Sequence, residues 1–201
     1  MKTRIPSVEI VGTGRYLPDT VTTNDDLESI VDTSDDWIVE RTGIRERRIA
    51  SADVTVASMG ASAARIAMER AGVDTSEIDI LIVSTATPDR LLPSTACDIQ
   101  ALLNLNNAVA FDVSAACSGF LYALTMAEGH ISTGRGRIAL VVATEKMSSI
   151  TDWSDRSTCV LFGDGAGAVV LQGSDGERGI LGTHHGSDGN LAELLYRLAG
   201  G

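Results

Sequence analysis

Residues 108–132 read AVAFDVSAACSGFLYALTMAEGHIS, and this stretch decides the fold. Residues 108–113 are apolar apart from Asp112, which predicts a buried strand. From Cys117 to residue 132 the apolar side chains recur at helical spacing, which predicts a helix. The small residues of SAACSG surround the cysteine. The stretch therefore predicts a strand that ends close to Cys117, where a helix begins.

The same alternation continues in both directions from this stretch. Apolar runs at 8–14, 78–84 and 137–143 predict strands, and runs at 159–162 and 166–172 predict two more, joined by the turn FGDGAG. Capping residues and closing glycines predict helices that begin after Thr23 and after residues 33–36, and over 55–71 and 94–103. Helices that alternate with apolar strands predict an α/β fold, with helices on both faces of a mixed, mostly parallel sheet.

The character of the sequence changes after Gly173. Glycine-rich segments follow, and then LAELLYRLAGG, which has the apolar spacing of a helix. This change predicts a boundary between a compact unit over 1–173 and a connecting segment over 174–201.

Composition and charge exclude several classes of protein. The chain has 201 residues, 44% of them hydrophobic, and a formal net charge of −11, which opposes binding to nucleic acid. One local exception is ERTGIRERR at 40–48, which carries four arginines. This run is typical either of a salt-bridged surface or of an anion site, and the sequence leaves both open.

The amino-terminal residues and the cysteines point to a location. MKTRIPSVEIVG has no apolar core or cleavage site of a signal peptide, and no run of about 18 apolar residues occurs, so we expect a cytoplasmic protein without a membrane span. The three cysteines are widely spaced and form no CxxC, so neither a disulfide framework nor a metal site is predicted.

Cys117 is the candidate nucleophile. At the amino end of a helix, free N–H groups and the helix dipole stabilise a thiolate and an oxyanion. Most free cysteines are instead small packing residues, and Cys97 and Cys159 fit that interpretation. Spacing alone does not decide between the two for Cys117.

Three long motifs decide between them: NDDLESIVDTSDDWIVERTGIRERRIA, FDVSAACSGF and RSTCVLFGDGAGAVVL. Together they span about residues 8–190 and resemble the β-ketoacyl-acyl carrier protein synthase III family of the thiolase superfamily. The resemblance implies a thiolase-like layered fold, of which this chain holds the first of two similar halves. It makes 1–173 the amino-terminal domain and 174–201 the start of the connection to the carboxy-terminal half.

The resemblance also implies a reaction. Cys117 takes an acetyl or short branched acyl group from acyl-coenzyme A, and the acyl-enzyme condenses with malonyl-acyl carrier protein to give 3-oxoacyl-acyl carrier protein, the first condensation of fatty acid synthesis. Coenzyme A thioester is a substrate, and no cofactor is implied. The family's catalytic His and Asn belong to the carboxy-terminal half, so we expect this chain alone to lack full activity.

Five further site residues follow from the resemblance. Trp37 is expected to stack on the adenine of coenzyme A, with Arg156 on the opposite side of the base. Arg41 is expected near the nucleotide phosphates and Thr33 as an additional contact. Leu92 is expected to reach across a homodimer interface and line the partner's acyl pocket.

Two other functions remain compatible with the sequence. One is a non-catalytic coenzyme A-binding or scaffold module, and the other is a relative that makes a polyketide starter. The glycines of FGDGAG are interpreted as structural, with Asp164 bound to local backbone donors. His130 is interpreted as a residue of a helix end, and His184 and His185 match a family segment that is not catalytic.

Overall fold

A computed structural model of the chain describes residues 7–176 and 178–198. Its strands are β1 (Ser7–Tyr16), β2 (Val21–Thr23), β3 (Glu46–Arg48), β4 (Ile80–Ser84), β5 (Val109–Val113), β6 (Ile138–Lys146) and β7 (Asp164–Ser174). Five of them form one sheet in the order β1-β7-β6-β4-β5, and β2 pairs with β3 in a separate ribbon.

The helices are α1 (Asn24–Glu28), α2 (Asp35–Thr42), α3 (Val56–Ala71), α4 (Thr95–Leu103), α5 (Gly119–Ser132) and α6 (Arg156–Cys159). Short 3₁₀ turns lie at Thr75–Glu77, Ala116–Ser118, Met147–Ser149 and Gly189–Leu194. Side chains cap the first four helices at Thr23, Ser34, Thr55 and Ser94. These caps confirm the predicted helix starts, since each satisfies a backbone N–H that the first turn leaves free.

The direction of the strands brings many loops to one edge of the sheet. β4 runs parallel to both β5 and β6, whereas β7 runs antiparallel to β6 and β1. The end of β6 at Lys146 therefore faces the start of β7 at Asp164, and Tyr16 at the end of β1 faces Ala166. We call this side of the sheet, where β1, β4, β5 and β6 end and β7 begins, the carboxyl edge.

Helices cover both faces of the sheet, as predicted. The alternating side chains of β4 point in turn to either face. Leu81 and Val83 belong to a core with α3 and α4, and Ile80 and Ile82 belong to a second core with α5. The first core takes six alanines of α3 and α4, which lets the helices approach the sheet closely.

A third, smaller core lies away from the sheet. It is formed by Leu27, Ile38, Cys159 and Val160, with Trp37 packed against it. These residues join α1 and α2 to α6, so we call this group the α2–α6 cluster. It holds together two elements that are more than 110 residues apart in the sequence.

One predicted strand is absent. The apolar run at 159–162 predicts a strand, but Cys159 ends the short helix α6. Asp155 starts this turn by accepting hydrogen bonds from the N–H of Ser157 and the hydroxyl of Thr158. The predicted turn FGDGAG is likewise wrong, because β7 already begins at Asp164. Asp164 binds distant donors rather than local ones, the N–H groups of Ala50 and Ser148.

The predicted helix in LAELLYRLAGG is also wrong where the structure describes it. Gly189–Leu194 form a 3₁₀ turn, and 195–198 are irregular; residues 199–201 lie outside the described part. Its leucines are 56–78% exposed. A helix of this length depends on packing of its apolar face, which this segment does not have here.

Within residues 7–176 and 178–198, no helix has the length and apolar character needed to cross a membrane. The absence of a signal peptide was predicted from residues that include 1–6, and these six residues also lie outside the described part.

A close contact between α3 and β1 gives a test of the fold. A Cβ atom on Gly14 would lie 2.0 Å from the carbonyl oxygen of Ala63, so Gly14→Ala must push the helix off the strand. We expect a loss of about 1–3 kcal/mol in the free energy of unfolding, measured by urea denaturation. Gly167→Ala is the matched control, because a Cβ on that β7 residue meets nothing within 4 Å. Equal stabilities of the two variants would contradict the described packing of α3.

Candidate active site

The predicted site residues lie on loops and helices of the carboxyl edge. α1, α2 and β3 follow the end of β1, and α6 precedes the start of β7. Leu92 lies in the loop after β4, and Cys117 follows β5. In sheets with parallel strands, ligands bind at the carboxyl ends of the strands, so this edge is the natural place for a site.

Cys117 lies in a 3₁₀ turn immediately before α5, and its side chain is exposed. The preceding residue, Ala116, has a φ of 44°, a left-handed conformation that costs a non-glycine residue about 1–3 kcal/mol. Such strain persists where the surrounding structure enforces it, and it is concentrated at functional sites. The strained turn presents the thiol to solvent instead of burying it in the core.

The start of α5 is pressed against β4. A Cβ atom on Gly119 would lie 2.1 Å from the hydroxyl oxygen of Ser84, so only glycine allows this approach. The hydroxyl of Ser118, the residue before the helix, makes no capping bond to it. The positive end of the α5 dipole is thus next to Cys117 and is not capped by that side chain, an arrangement that favours an oxyanion at this position.

Trp37, Arg41 and Arg156 come together as the second part of the site. The guanidinium carbons of Arg41 and Arg156 lie 4.5 and 4.6 Å from the centre of the Trp37 ring. Arg156 also donates a hydrogen bond to the carbonyl oxygen of Asp32 at 2.8 Å. Contact of both arginines with the indole itself was not predicted. Each cation–π contact contributes about 0.5–1 kcal/mol at an exposed site, so a ligand can displace it at small cost.

Thr33 lies just before α2, beside this aromatic group. Its hydroxyl oxygen is buried, and it has no hydrogen-bond partner among the described residues. A buried hydroxyl without a partner is costly, which makes it a candidate contact for a bound polar group. Its predicted role as a nucleotide contact remains a prediction.

Leu92 extends from the loop that joins β4 to α4. Its side chain and that of Leu91 are 85% and 86% exposed. The loop is held on both sides by carboxylates. Asp89 accepts the N–H groups of Val56 and Ala57 at the start of α3, and Asp112 accepts the first two N–H groups of α4. The two leucines therefore project from a fixed base.

Glu145 was missed by the sequence analysis. Its carboxylate accepts hydrogen bonds from the N–H of Ala86 at 2.8 Å and from the hydroxyls of Thr87 and Thr85, and so ties the loop after β4 to the end of β6. Burial raises the pKa of the Glu145 carboxyl above its usual value, although these hydrogen bonds oppose the rise. An acidic residue directly after the apolar run 137–143 was the available signal for it.

The other cysteines and two of the histidines have structural positions. Cys159 is fully buried, and burial raises the pKa of its thiol, so it is not a nucleophile. Cys97 is half-buried in α4, where it accepts a hydrogen bond from the Ser94 hydroxyl. His130 lies near the far end of α5, and His185 contacts Tyr122 and Thr125 on that helix. Among the described residues, no group of three or more potential ligands is placed to hold a metal ion.

Comparisons with known proteins agree with the resemblance. The family model of 3-oxoacyl-[acyl-carrier-protein (ACP)] synthase III matches residues 111–189. The β-ketoacyl-[acyl-carrier-protein] synthase III of Methylococcus capsulatus is 56% identical over 187 residues, which are 93% of this chain and 58% of that protein. The chain thus spans about three-fifths of the length of this curated relative.

Solved structures show the same fold. The β-ketoacyl-[acyl carrier protein] synthase III of Thermus thermophilus superimposes with a TM-score of 0.92 at 40% identity, over 96% of this chain and 60% of that one. The priming β-ketosynthase of the R1128 polyketide biosynthetic pathway gives a TM-score of 0.82 at 44% identity, over 88% of this chain and 54% of that one. These likenesses confirm the predicted thiolase-like α/β fold.

The raised pKa of Glu145 predicts how stability depends on pH. A carboxyl whose folded-state pKa is raised binds its proton more tightly in the folded chain, so its contribution falls as pH rises from the unfolded value of about 4.3 through the folded one. Urea unfolding of the parent chain and of Glu145→Gln between acid and neutral pH isolates this contribution, because the other carboxyls are common to both. We expect the parent to lose stability relative to Glu145→Gln as pH rises. A difference that stays constant or changes in the opposite direction would contradict the described environment of Glu145.

Proposed function

We propose that this chain, which belongs to the β-ketoacyl-[acyl-carrier-protein] synthase III family, transfers an acyl group from acyl-coenzyme A to Cys117. One observation carries the proposal: an exposed thiol at a strained turn and the amino end of α5 shares the carboxyl edge with the stacking group of Trp37, Arg41 and Arg156. The first part can form a thioester, and the second can hold a flat, uncharged base.

The separation of the two parts suits a donor with a long arm. The stacking group belongs to elements that flank β1 and β7, whereas Cys117 follows β5. Three strand spacings of about 4.8 Å separate β7 from β5, so the strands next to the two parts lie roughly 15 Å apart. Coenzyme A has its adenine at one end and its thioester at the other, and the pantetheine arm between them would cross this edge.

The acyl transfer proceeds by attack of the Cys117 thiolate on the thioester carbonyl. The carbon–sulfur bond to coenzyme A breaks, coenzyme A leaves as its thiolate, and the acyl group stays on Cys117. Exchange of one thioester for another is nearly balanced in energy, so the carbonyl remains activated for a later carbon nucleophile. The amino end of α5 supplies N–H groups and a positive dipole end for the negative charge that develops on the carbonyl oxygen.

We assign the second step to the family's complete enzyme. The acyl-enzyme condenses with malonyl-acyl carrier protein, the malonyl group loses carbon dioxide, and the new carbon–carbon bond gives 3-oxoacyl-acyl carrier protein. The histidine and asparagine that assist decarboxylation belong to the carboxy-terminal half by resemblance. His130 lies near the far end of α5, and His185 contacts Tyr122 and Thr125 on that helix, so neither is assigned this role. Coenzyme A acts as a substrate, and the proposal needs no resident cofactor.

A homodimer is part of the same proposal. Leu91 and Leu92 are almost fully exposed on a loop fixed by Glu145, Asp89 and Asp112, an arrangement that favours insertion into another surface. We propose that Leu92 enters the acyl pocket of a second copy. Its size would then limit the length and branching of the acyl group.

Priming of a polyketide chain is the second candidate function. Its support is the 44% identity to the priming β-ketosynthase of the R1128 pathway. It shares the acyl transfer to Cys117 and differs in the acyl group or the acceptor, so assays with different acyl-coenzyme A donors separate the two. A non-catalytic binding module, by contrast, would hold coenzyme A and leave Cys117 unmodified.

The acyl-transfer step predicts a covalent adduct. After incubation with acetyl-coenzyme A, we expect the intact mass of the chain to increase by one acetyl group, because this step needs only the thiol and the donor site. Cys117→Ala should show no increase, whereas Cys97→Ala should still be acetylated. Absence of the adduct from a folded sample that binds coenzyme A would contradict the proposed transferase and favour the binding module.

The stacking group predicts the loss of nucleotide affinity in Trp37→Ala. Removal of the indole should weaken coenzyme A binding roughly tenfold, as expected when one base loses an aromatic stacking partner. Equilibrium titration by calorimetry measures this, with Trp153→Phe as the control, because Trp153 packs on the same α2–α6 cluster and touches neither arginine in the described contacts. Equal affinities for Trp37→Ala and the parent chain would exclude this nucleotide site.

A further inference from the structure

Arg47 is a buried cation without a carboxylate partner. Only 5% of the residue is exposed, and in the described part of the chain no acidic group lies within ion-pair distance of it. Its Nε is buried and has no hydrogen-bond partner among the described residues. Burial lowers the pKa of the Arg47 guanidinium, which is the direction expected for a charge that lacks compensation. Burying a charge in this way is unfavourable unless hydrogen bonds offset it.

The hydrogen bonds of Arg47 run towards α2 on one side. Its Nη1 donates to the side-chain oxygen of Asn24 at 2.9 Å, and Asn24 is itself 1% exposed. The amide nitrogen of Asn24 donates in turn to the carboxylate of Asp35 at 2.7 Å and to the carbonyl oxygen of Ile44 at 2.8 Å. Asp35 and Ile44 bracket α2, the helix that carries Trp37. Asn24 therefore transmits the position of Arg47 to both ends of this helix.

On the other side, Arg47 reaches α6. Its Nη2 donates to the carbonyl oxygen of Val160 at 2.9 Å, and Val160 directly follows the short helix that begins with Arg156. A four-residue helix has too few internal hydrogen bonds to fix its own position. The guanidinium of Arg47 therefore supplies an anchor at the end of α6, and the α2–α6 cluster packs beside it.

We propose that Arg47 is a positioning residue for nucleotide binding, which sets the spacing between α2 with Trp37 and α6 with Arg156. The proposal rests on the nucleotide site proposed above and assigns a new role to a residue that touches neither Trp37 nor the ligand. Only a forked, planar side chain can donate to Asn24 and Val160 at the same time. Lysine carries the same charge but not this fork.

The fixed spacing determines how the site opens. The guanidinium of Arg156 now lies 4.6 Å from the centre of the Trp37 ring, whereas a flat base between them needs about 3.5 Å on each side, or roughly 7 Å in total. Because Arg47 holds α2 and α6 at a set distance, the Arg156 side chain has to swing away while the helices remain in place. Its exchangeable hydrogen bond to the carbonyl oxygen of Asp32 permits this swing.

Two variants break the connection at different points, one at Arg47 itself and one at Asn24. Arg47→Lys removes the fork and keeps the charge. Asn24→Asp keeps an acceptor for Arg47 and adds an ion pair with it, but it loses the amide donor to Asp35 and Ile44. Arg48→Lys is the matched control, because Arg48 is the next residue of β3 and bonds only to Pro18 and Glu46 in the described contacts.

Three measurements distinguish positioning from a general loss of structure. The first is the affinity for coenzyme A and for adenosine 3′,5′-bisphosphate, the nucleotide end of coenzyme A, by calorimetry. The second is the rate of Cys117 alkylation by iodoacetamide, mapped by peptide mass. The third is the thermal melting temperature. We expect Arg47→Lys and Asn24→Asp to weaken the binding of both nucleotides by the same factor. This factor is roughly tenfold, the order expected for the loss of one charge-assisted hydrogen bond.

The alkylation rate of Cys117 should stay within about twofold of the parent in both variants, since the thiol lies at the other end of the carboxyl edge. Parent-like nucleotide affinity in both variants, with a loss in Trp37→Ala, would overturn the role of Arg47 and leave the nucleotide site standing. Unchanged nucleotide affinity in Trp37→Ala would instead exclude the proposed nucleotide site, and with it the proposed role of Arg47. If Arg47→Lys does not fold, Asn24→Asp decides alone. Equal losses in nucleotide affinity and in Cys117 alkylation would also overturn the proposal, because they indicate general disruption.

Discussion

Hydrogen bonds from backbone N–H groups to carboxylates fix the carboxyl edge on which the site is built. Asp112 accepts hydrogen bonds from the first two N–H groups of α4, and Asp89 accepts them from the first two N–H groups of α3. Glu145 accepts a hydrogen bond from the N–H of Ala86, and Asp164 accepts them from the N–H groups of Ala50 and Ser148. Bonds to a charged acceptor are about twice as strong as neutral ones, and each of these satisfies a donor that the loops would otherwise leave unpaired. The loops of this edge are therefore held as firmly as the strands. Without them, neither the turn at Cys117 nor the exposed Leu92 would have a fixed base.

The order of the strands divides this edge between two tasks. β1 and β7 lie at one end and carry the elements that bear Trp37 and Arg156, whereas β5 lies at the other end and leads to Cys117. In the proposed function, recognition of the nucleotide and chemistry at the thiol are thus separated by the width of the sheet. A donor would then bind at both ends to place its carbonyl next to Cys117. This separation lets binding energy at a remote group be used for orientation at the reacting one.

Local signals in the sequence predicted most of the framework. Thr23, Ser34 and Thr55 cap helices because each precedes a free N–H group, and the cysteine at the junction of strand and helix was found from apolar periodicity. Signals failed where long-range packing decides. The apolar run at 159–162 failed for a local reason instead, because Asp155 caps a helical turn that ends at Cys159. Long-range packing decides for the arginine run at 40–48, which left two interpretations open. In the structure, Arg47 points inward and its neighbours in β3 do not. The alternation of side chains within the three-residue strand β3 sets the inward direction of Arg47. Its hydrogen-bond partners Asn24 and Val160 lie 23 and 113 residues away in the sequence.

In the proposed function, the position of Cys117 explains why one part of a condensing enzyme can carry one of its half-reactions. Acyl transfer between two thiols needs a thiol, a donor site and stabilisation of one oxyanion, all of which lie on one edge of one sheet. Decarboxylation and carbon–carbon bond formation need additional groups facing the same thiol, and α5 exposes Leu121 and Met126 where further protein surface can cover it. In the proposed reaction the thioester exchange is nearly balanced in energy, so it stays reversible until the carbanion left by decarboxylation of the malonyl group attacks the acyl carbonyl and releases Cys117. A surface that completes the site on the exposed face of α5 would therefore make the reaction irreversible without changing how Cys117 is first loaded.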